Sequence, residues 1–365
     1  MSFLENEIKK RNIPEVLAKK DGRRVENKAD FEEMREQIKA LLSEHIYGNL
    51  PSPPTDLSAK VITENERYMG GKAIFRRIML SLTVYGEKFT FPIVSVIPKS
   101  EKTLPAFLYI SFDSEFPGER AHLPIEEIID GGFAVFTFGY NDITTDNGDF
   151  DNGVAKIFRE KMNAKSAPGK IAMWAWAAGC VMDYIQTVDI IDKQNIAIIG
   201  HSRLGKTALL TGAFDERFKY VISNNSGCSG AAITRGKVGE NIADITRVFP
   251  YWFTDKYKDY AGEGIDSFPI EQNFLTSLVV PRHLIIGSAE LDEWADPKSE
   301  FLNAFMTNEV YKLYGMQGLI CEDKYPVPKT VLDEGESSYH IRHSGHFLSR
   351  EDWAVYMNFI RKKMK

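Results

Sequence analysis

The stretch IAIIGHSRLGKTALL, residues 196–210, has the composition of a buried strand, a tight turn and the start of a helix. Apolar residues come first, and an Ala/Leu run follows Thr207. The glycine-rich turn between them carries Ser202, Arg203 and Lys206. Two unrelated chemistries fit such a turn, phosphate binding and nucleophilic catalysis, and features elsewhere in the chain are needed to distinguish them.

Residues 200–207 match the phosphate-loop pattern G-x-x-x-x-G-K-[ST], in which backbone N–H groups and a lysine hold phosphates. The same turn resembles a nucleophile elbow, G-x-S-x-G, which exposes a serine hydroxyl between a strand and a helix. The elbow pattern is met only as far as Ser202, because Leu204 stands at the position of its second glycine. On this motif alone the phosphate loop is the better match.

The hydrophobic pattern around the turn predicts a large α/β domain. Antiparallel strands come first, and strands then alternate with helices, which is typical of a mostly parallel sheet with helices on both faces. This is the order of an α/β-hydrolase fold, in one domain spanning 1–365. Residues 1–55 form an N-terminal helical extension, with Phe31, Met34, Ile38 and Leu41 on one stripe. The predicted strands are 74–84, 89–97, 105–110, 133–138, 196–199, 220–223, 283–287 and 338–341, and the predicted helices are 125–132, 169–187, 301–314 and 352–365.

Composition excludes several classes of function. The 365 residues carry a formal net charge of −6, which argues against a nucleic-acid surface. Three widely spaced cysteines indicate a reducing compartment rather than a disulfide scaffold or a zinc site. No apolar run reaches the roughly 20 residues of a membrane span, and the charged N-terminus is unlike a signal peptide. We therefore expect a cytoplasmic protein that needs no metal or organic cofactor and binds neither membranes nor nucleic acids.

The order of three side chains favours catalysis over phosphate binding. A phosphate loop usually follows the first strand of its domain and needs an acidic residue for Mg²⁺ on a neighbouring strand. Here about five strands precede the turn, and the next strand closes with NNSG, residues 224–227. In α/β-hydrolases a serine, an acid and a histidine follow late strands in that order. Ser202, Asp292 and His346 meet this requirement.

These residues also carry a family resemblance. GHSRLGK, residues 200–206, resembles the G-x-S-R-x-G-K elbow of the glucuronoyl esterases, carbohydrate esterase family 15. DEWADP, residues 292–297, resembles their D-x-W-A-D-P segment. His346 with Asp352 and Trp353 resembles their H…DW ending, and the helix with Trp174 and Trp176 also fits. The resemblance runs from about residue 100 to the C-terminus.

The resemblance implies a role for each candidate. Ser202 would be the nucleophile, His346 the general base, and Arg203 would hold the oxyanion together with backbone N–H groups. The sugar site implied by the resemblance would be lined by Lys206, Glu240 and Trp294. The family would act through an acyl-enzyme on 4-O-methyl-glucuronate esters of xylan-derived or lignin–carbohydrate fragments.

Departures from the family pattern leave alternatives open. Many members place the triad acid as a glutamate directly after the strand that follows the elbow, where this chain has Asn225. The acid is then expected in the later loop, with Asp292 as the first choice and Glu290 as the fallback. Val248 stands where some members have a sugar-binding glutamine. The alternatives are an acetyl esterase acting on sugar acetates, a nucleotide-binding protein and an inactive carbohydrate-binding homologue.

Overall fold

The computed structural model of the chain describes residues 2–19, 22–115, 122–163 and 167–364. Its strands are β1 (Asp56–Arg67), β2 (Ala73–Val84), β3 (Glu87–Pro98), β4 (Leu104–Ser111), β5 (Ala134–Gly139), β6 (Ile191–His201), β7 (Tyr220–Asn224), β8 (His283–Ala289), β9 (Val331–Leu332) and β10 (Ser338–Arg342). They form one sheet in the order β1-β2-β3-β5-β4-β6-β7-β8-β10-β9.

The direction of the strands confirms the predicted fold class. Strands β1, β2 and β3 pair antiparallel to one another in that order, and β3 is also antiparallel to β5. From β5 through β4, β6, β7 and β8 to β10 every pair is parallel, and β9 closes the edge antiparallel to β10. The carboxyl ends of the parallel strands therefore meet at one edge, which is where ligands bind in such sheets.

Helices cover both faces of the sheet. The α-helices are α1 (Phe3–Lys10), α2 (Lys28–Leu42), α3 (Tyr68–Gly71), α4 (Ile125–Asp130), α5 (Gly153–Lys161), α6 (Lys170–Ile185), α7 (Arg203–Phe214), α8 (Ile242–Val248), α9 (Gln272–Ser277), α10 (Pro297–Met306), α11 (Asn308–Leu313) and α12 (Arg350–Lys363). A π-helical turn (Ser43–Tyr47) extends α2, and 3-10 turns lie at Tyr140–Asp142, Pro250–Trp252, Tyr257–Tyr260 and Gly262–Ser267. In the described part of the chain, no helix combines the length and apolar character needed to cross a bilayer.

Side chains of β4 show why its sequence is apolar throughout. Phe107 and Tyr109 point into one core with residues of α4 and α12, whereas Leu108 and Ile110 point into the other core with α6 and α7. Successive strand residues face opposite sides of a sheet, so a strand buried on both sides has no polar positions. The predicted buried strands are confirmed for this reason.

The N-terminal helices belong to the larger of these two cores. Leu4 of α1 and Phe31 and Ile38 of α2 are fully buried in it, whereas Leu41 of the predicted stripe is only partly buried. The backbone N–H groups of Phe3 and Leu4 donate to the carboxylate of Asp323, at 2.6 and 2.9 Å. The N-terminal segment is therefore held by both packing and hydrogen bonds.

The sequence patterns missed some elements. Strand β1 was not predicted, because almost all of its residues are exposed and it shows no alternation of apolar residues. Strand β9 has only two residues. The helix predicted at 301–314 is two helices, α10 and α11, and α10 starts earlier because Asp296 caps it, accepting from Ser299 N at 3.2 Å. The helix predicted at 352–365 starts at Arg350, and Lys365 lies outside the described residues.

The turn between β6 and α7 is tight and strained. Ser202 has φ 57° and ψ −126°, values that L-residues rarely adopt. A Cβ on Gly200 would lie 1.9 Å from the carbonyl oxygen of Leu204, so only glycine fits there. A Cβ on Gly205 would lie 3.0 Å from the Ser226 side chain. The second close approach therefore falls at Gly205, one position after the glycine of the elbow pattern.

We expect Gly200→Ala to lower the free energy of unfolding by about 1–3 kcal/mol or more, because the added methyl group collides with backbone atoms that cannot rotate away. Gly148→Ala is the matched control, since a Cβ there meets nothing within 4 Å. Urea unfolding midpoints of the two variants measure the difference. Equal midpoints would contradict the close packing of the elbow.

Candidate active site

Three loops at one edge of the sheet carry the predicted triad residues. Ser202 follows β6, Asp292 follows β8, and His346 follows β10. The backbone N–H of Ser202 donates to the carbonyl oxygen of Asn224 at 2.9 Å, which fixes the elbow against β7. The ring of His201, the residue before the serine, lies 4.6 Å from the ring of His346, centroid to centroid. The elbow and the histidine loop are therefore direct neighbours.

Asp292 binds the histidine. Its Oδ2 lies 2.6 Å from Nδ1 of His346, and the Asn225 amide donates to the same oxygen at 2.8 Å. Burial raises the pKa of Asp292, but the hydrogen bonds from His346 and Asn225 and the charge on the imidazole outweigh it, so the pKa is lowered from its ordinary value. An ionised carboxylate accepts from Nδ1–H, which leaves the Nε2 lone pair of His346 available for a proton.

The competing acid and histidines have other partners. Glu290, the fallback acid, pairs with Nδ1 of His343, and both side chains are exposed. His340 is buried, with Nε2 2.7 Å from Asp352 Oδ1. Asp352 is also the N3 residue of the capping box of α12, whose N-cap is Ser349. The geometry therefore pairs His346 with Asp292 and gives Glu290, His340 and His343 other partners.

Arg203 lies at the first position of α7, directly after the serine. Its Nη1 donates to Oδ2 of Asp146, and its guanidinium carbon lies 4.9 Å from the centroid of Trp252 and 5.2 Å from that of Phe249. The side chain is 28% exposed, so part of it reaches the surface of the site. Cation–π contact and an ion pair together hold the guanidinium in one place.

Lys206 has a different setting from the predicted one. The side chain is 5% exposed, and its ammonium donates to the carbonyl oxygens of Ser226, at 2.5 Å, and Cys228, at 2.6 Å. It also lies 3.7 Å from Oε2 of Glu240. Lys206 thus joins the loop after β7 to Glu240, and its contact with the substrate stays a prediction. These contacts do not favour the phosphate-loop alternative, because the lysine of a phosphate loop reaches phosphate oxygens.

Glu240 and Trp294, 54 residues apart in the sequence, are neighbours in the structure. The backbone N–H of Glu240 donates to the carbonyl oxygen of Trp294 at 3.0 Å. Trp294 is 57% exposed, whereas Trp174 and Trp176 are buried in the core as expected. The exposed indole offers a stacking surface, and its backbone is tied to that of an acidic residue.

Several residues of the site were not predicted. Asn225 was noted only as a departure from a family pattern, yet it hydrogen-bonds Asp292. Asp146 lies in a polar loop with other acidic residues. It is far from Arg203 in the sequence, so no sequence pattern predicted that the two residues pair. His201 occupies the variable position of the elbow motif; burial lowers its pKa to about 3, and the neighbouring His346 adds to this effect. His201 is therefore neutral at physiological pH, with its Nδ1 2.7 Å from Asn224 Oδ1.

Glu300 of α10 is a buried acid next to the site. It accepts from Ser288 Oγ at 2.5 Å and from the backbone N–H of Gly227 at 2.9 Å. Burial raises its pKa to about 7, more than these hydrogen bonds lower it, and the charges of Asp292 and Asp296 add to the increase. Its bond to Gly227 joins α10 to the same loop that Lys206 holds.

The sheet and the strained serine turn define an α/β-hydrolase. A family model described as "Glucuronyl esterase, fungi" matches residues 80–315. Carbohydrate esterase MZ0003, from an unknown prokaryotic organism, is 32% identical over 100% of this chain and 92% of its own length. The chain therefore belongs to the glucuronyl esterase family, and it is a carboxylic ester hydrolase.

Two further comparisons agree with this assignment. The structure of the glucuronoyl esterase from Solibacter usitatus superposes with a TM-score of 0.88 at 28% identity, over 97% of this chain and 98% of that one. A 4-O-methyl-glucuronoyl methylesterase from Thermothelomyces thermophilus is 25% identical, over 83% of this chain and 72% of that protein. The predicted family and fold are confirmed.

We expect the pH dependence of stability to report on Glu300. Its pKa is raised in the folded state, so the unfolded chain loses this proton first as the pH rises from about 4.5, while the folded chain keeps it until about 7. The free energy of unfolding should therefore fall by up to roughly 3 kcal/mol over this interval relative to Glu300→Gln. Urea unfolding at a series of pH values measures it.

The control for this experiment is Glu33→Gln, which removes an exposed glutamate of α2. It should leave the pH dependence of unfolding as in the unsubstituted chain. A parallel pH dependence for Glu300→Gln and the unsubstituted chain would show that Glu300 ionises alike in the folded and unfolded states.

Proposed function

We propose that the chain hydrolyses esters of glucuronic acid carboxylates through a Ser202–His346–Asp292 triad. The observation that carries this proposal is the 2.6 Å hydrogen bond between His346 and Asp292 beside the strained Ser202 turn. A serine hydroxyl is a weak nucleophile until a base accepts its proton, and an imidazole held by a buried carboxylate is such a base. Family membership and the names of the relatives support the uronate ester as substrate.

The reaction proceeds in two halves. Ser202 Oγ attacks the ester carbonyl carbon while Nε2 of His346 takes its proton, and Asp292 stabilises the imidazolium. The tetrahedral oxyanion is held by Arg203 and by backbone N–H groups at the start of α7. The intermediate collapses with transfer of the proton to the departing alcohol, leaving a uronoyl–serine ester. Water, activated by the same imidazole, then releases the uronic acid.

The sugar ring is placed on the Glu240–Trp294 surface. Trp294 supplies an aromatic face for the pyranose, and Glu240 accepts hydrogen bonds from its hydroxyl groups. In this proposal Lys206 acts by holding Glu240 and the loop after β7, and its contact with sugar hydroxyls is a secondary role. The substrates are 4-O-methyl-glucuronate esters of fragments derived from xylan or from lignin–carbohydrate linkages.

We expect Asp292→Asn to lower kcat by roughly 10²- to 10⁴-fold, because the imidazole loses both its orientation and the charge that stabilises the imidazolium. Glu290→Gln is the matched control and should retain kcat within about twofold, since Glu290 contacts His343. Steady-state hydrolysis of benzyl glucuronate measures both. A larger loss in Glu290→Gln than in Asp292→Asn would assign the acid to Glu290.

We expect the enzyme to hydrolyse benzyl glucuronate with a kcat/KM at least tenfold above that for an acetylated xylose, a difference of about 1.4 kcal/mol in transition-state binding. A serine-reactive phosphonate should label the chain, and Ser202→Ala should abolish both labelling and turnover. A preference for the acetate would overturn the substrate assignment. Uronate binding without turnover would indicate an inactive carbohydrate-binding homologue.

A further inference from the structure

Asp146 is a nearly buried carboxylate in the loop that follows β5. Its side chain is 8% exposed and accepts three hydrogen bonds. One comes from Arg203 Nη1, one from Trp252 Nε1 at 2.6 Å, and one from the Tyr140 hydroxyl at 3.1 Å. The Tyr251 hydroxyl donates to its backbone carbonyl at 3.1 Å. A carboxylate with this many donors has one orientation available, so it is a rigid anchor for whatever it binds.

Aromatic rings confine the guanidinium of Arg203 as well. Its carbon lies near the ring centroids of Trp252 and Phe249, and 5.9 Å from that of Phe112. Trp252 and Phe249 stack on each other at 3.9 Å, so this platform is itself fixed. Trp252 thus contacts both members of the pair, stacking beside the arginine and donating to the aspartate.

Part of the Arg203 guanidinium makes no hydrogen bond to the described residues. Nη1 is taken by Asp146, and the buried Nε has no hydrogen-bond partner within the described residues. Nε is also the guanidinium nitrogen nearest along the side chain to the backbone that follows Ser202. A buried donor without a partner is costly, and such donors are typical of sites where a ligand or a transition state supplies the acceptor.

We propose that Asp146 is a positioning residue that holds Arg203 ready for the oxyanion. This inference rests on the function proposed above. A free arginine side chain samples many rotamers and would have to be ordered during the reaction, whereas an arginine held beforehand stabilises developing charge without that reorganisation. The carboxylate fixes one edge of the guanidinium and the rings confine it, which directs the remaining N–H groups.

The competing interpretation is that Asp146 only joins its loop to the segment containing Trp252. Loss of the carboxylate would then lower stability but would leave the rate per folded molecule unchanged. The two interpretations differ in whether the effect of Asp146 on kcat depends on the presence of Arg203.

The test is Asp146→Asn, which keeps the size of the side chain and removes its charge. We expect kcat on benzyl glucuronate to fall roughly 10- to 100-fold with KM changed less than about threefold, because the lost interaction acts in the transition state. In an Arg203→Ala background, the same change should cause less than a twofold further loss. Asp151→Asn, an exposed acid of the same loop paired with Arg159, is the control and should retain kcat.

Each outcome decides the proposal. An unchanged kcat in Asp146→Asn would overturn it. So would a fold-loss of kcat from Asp146→Asn that is as large in the Arg203→Ala background as in the unsubstituted chain. If Asp146→Asn does not fold, Trp252→Phe is the second variant, because it removes one donor to the carboxylate and keeps an aromatic ring. A loss of kcat in Trp252→Phe that is equally large in the Arg203→Ala background would also overturn the proposal. Turnover that survives Ser202→Ala would reject the proposed function itself, whereas Ser202-dependent turnover insensitive to Asp146 would reject only this inference.

Discussion

The hydrogen bond between His346 and Asp292 is the interaction on which the site depends. It joins two loops 54 residues apart, each leaving the carboxyl end of a parallel strand. The bond is strong because the acid is buried and ionised. The desolvation cost of burying this charge is offset because Asn225 and a backbone N–H also donate to the carboxylate. The parallel order of β6, β7, β8 and β10 brings all of these groups to one edge. Sheet topology and acid–base chemistry are therefore parts of a single arrangement.

The loop after β7 is a second centre of the site, and its supports come from three directions. Lys206 of α7 donates to two of its carbonyl oxygens, Glu300 of α10 accepts from Gly227, and Asn225 reaches the triad acid. A lysine and a glutamate that are buried in this way support the loop through its backbone groups. Burial and hydrogen bonding, rather than residue type, separate these supporting groups from Trp294, which is open to solvent.

Much of this arrangement was predictable from sequence, and the exceptions have a physical reason. Ser202, Asp292 and His346 follow strands whose apolar runs are plain, so their convergence follows from the order of the elements. The burial of Lys206 was not predicted, because the carbonyl oxygens around its ammonium belong to a distant loop and no local pattern encodes burial of a lysine. Asp146 was missed because it is one of several acids in a polar loop, 57 residues from its partner. Strand β1 escaped detection because exposed strands need no apolar alternation.

The amide at position 225 has a consequence for the charge of the site. Two carboxylates that share one imidazole repel each other, and one of them takes up a proton at a pH where a lone acid would stay ionised. Asn225 binds Asp292 through an amide that carries no charge, so it donates to the carboxylate without repelling it. The buried carboxylate that binds the histidine therefore has a neutral amide, instead of a second carboxylate, as its hydrogen-bond partner.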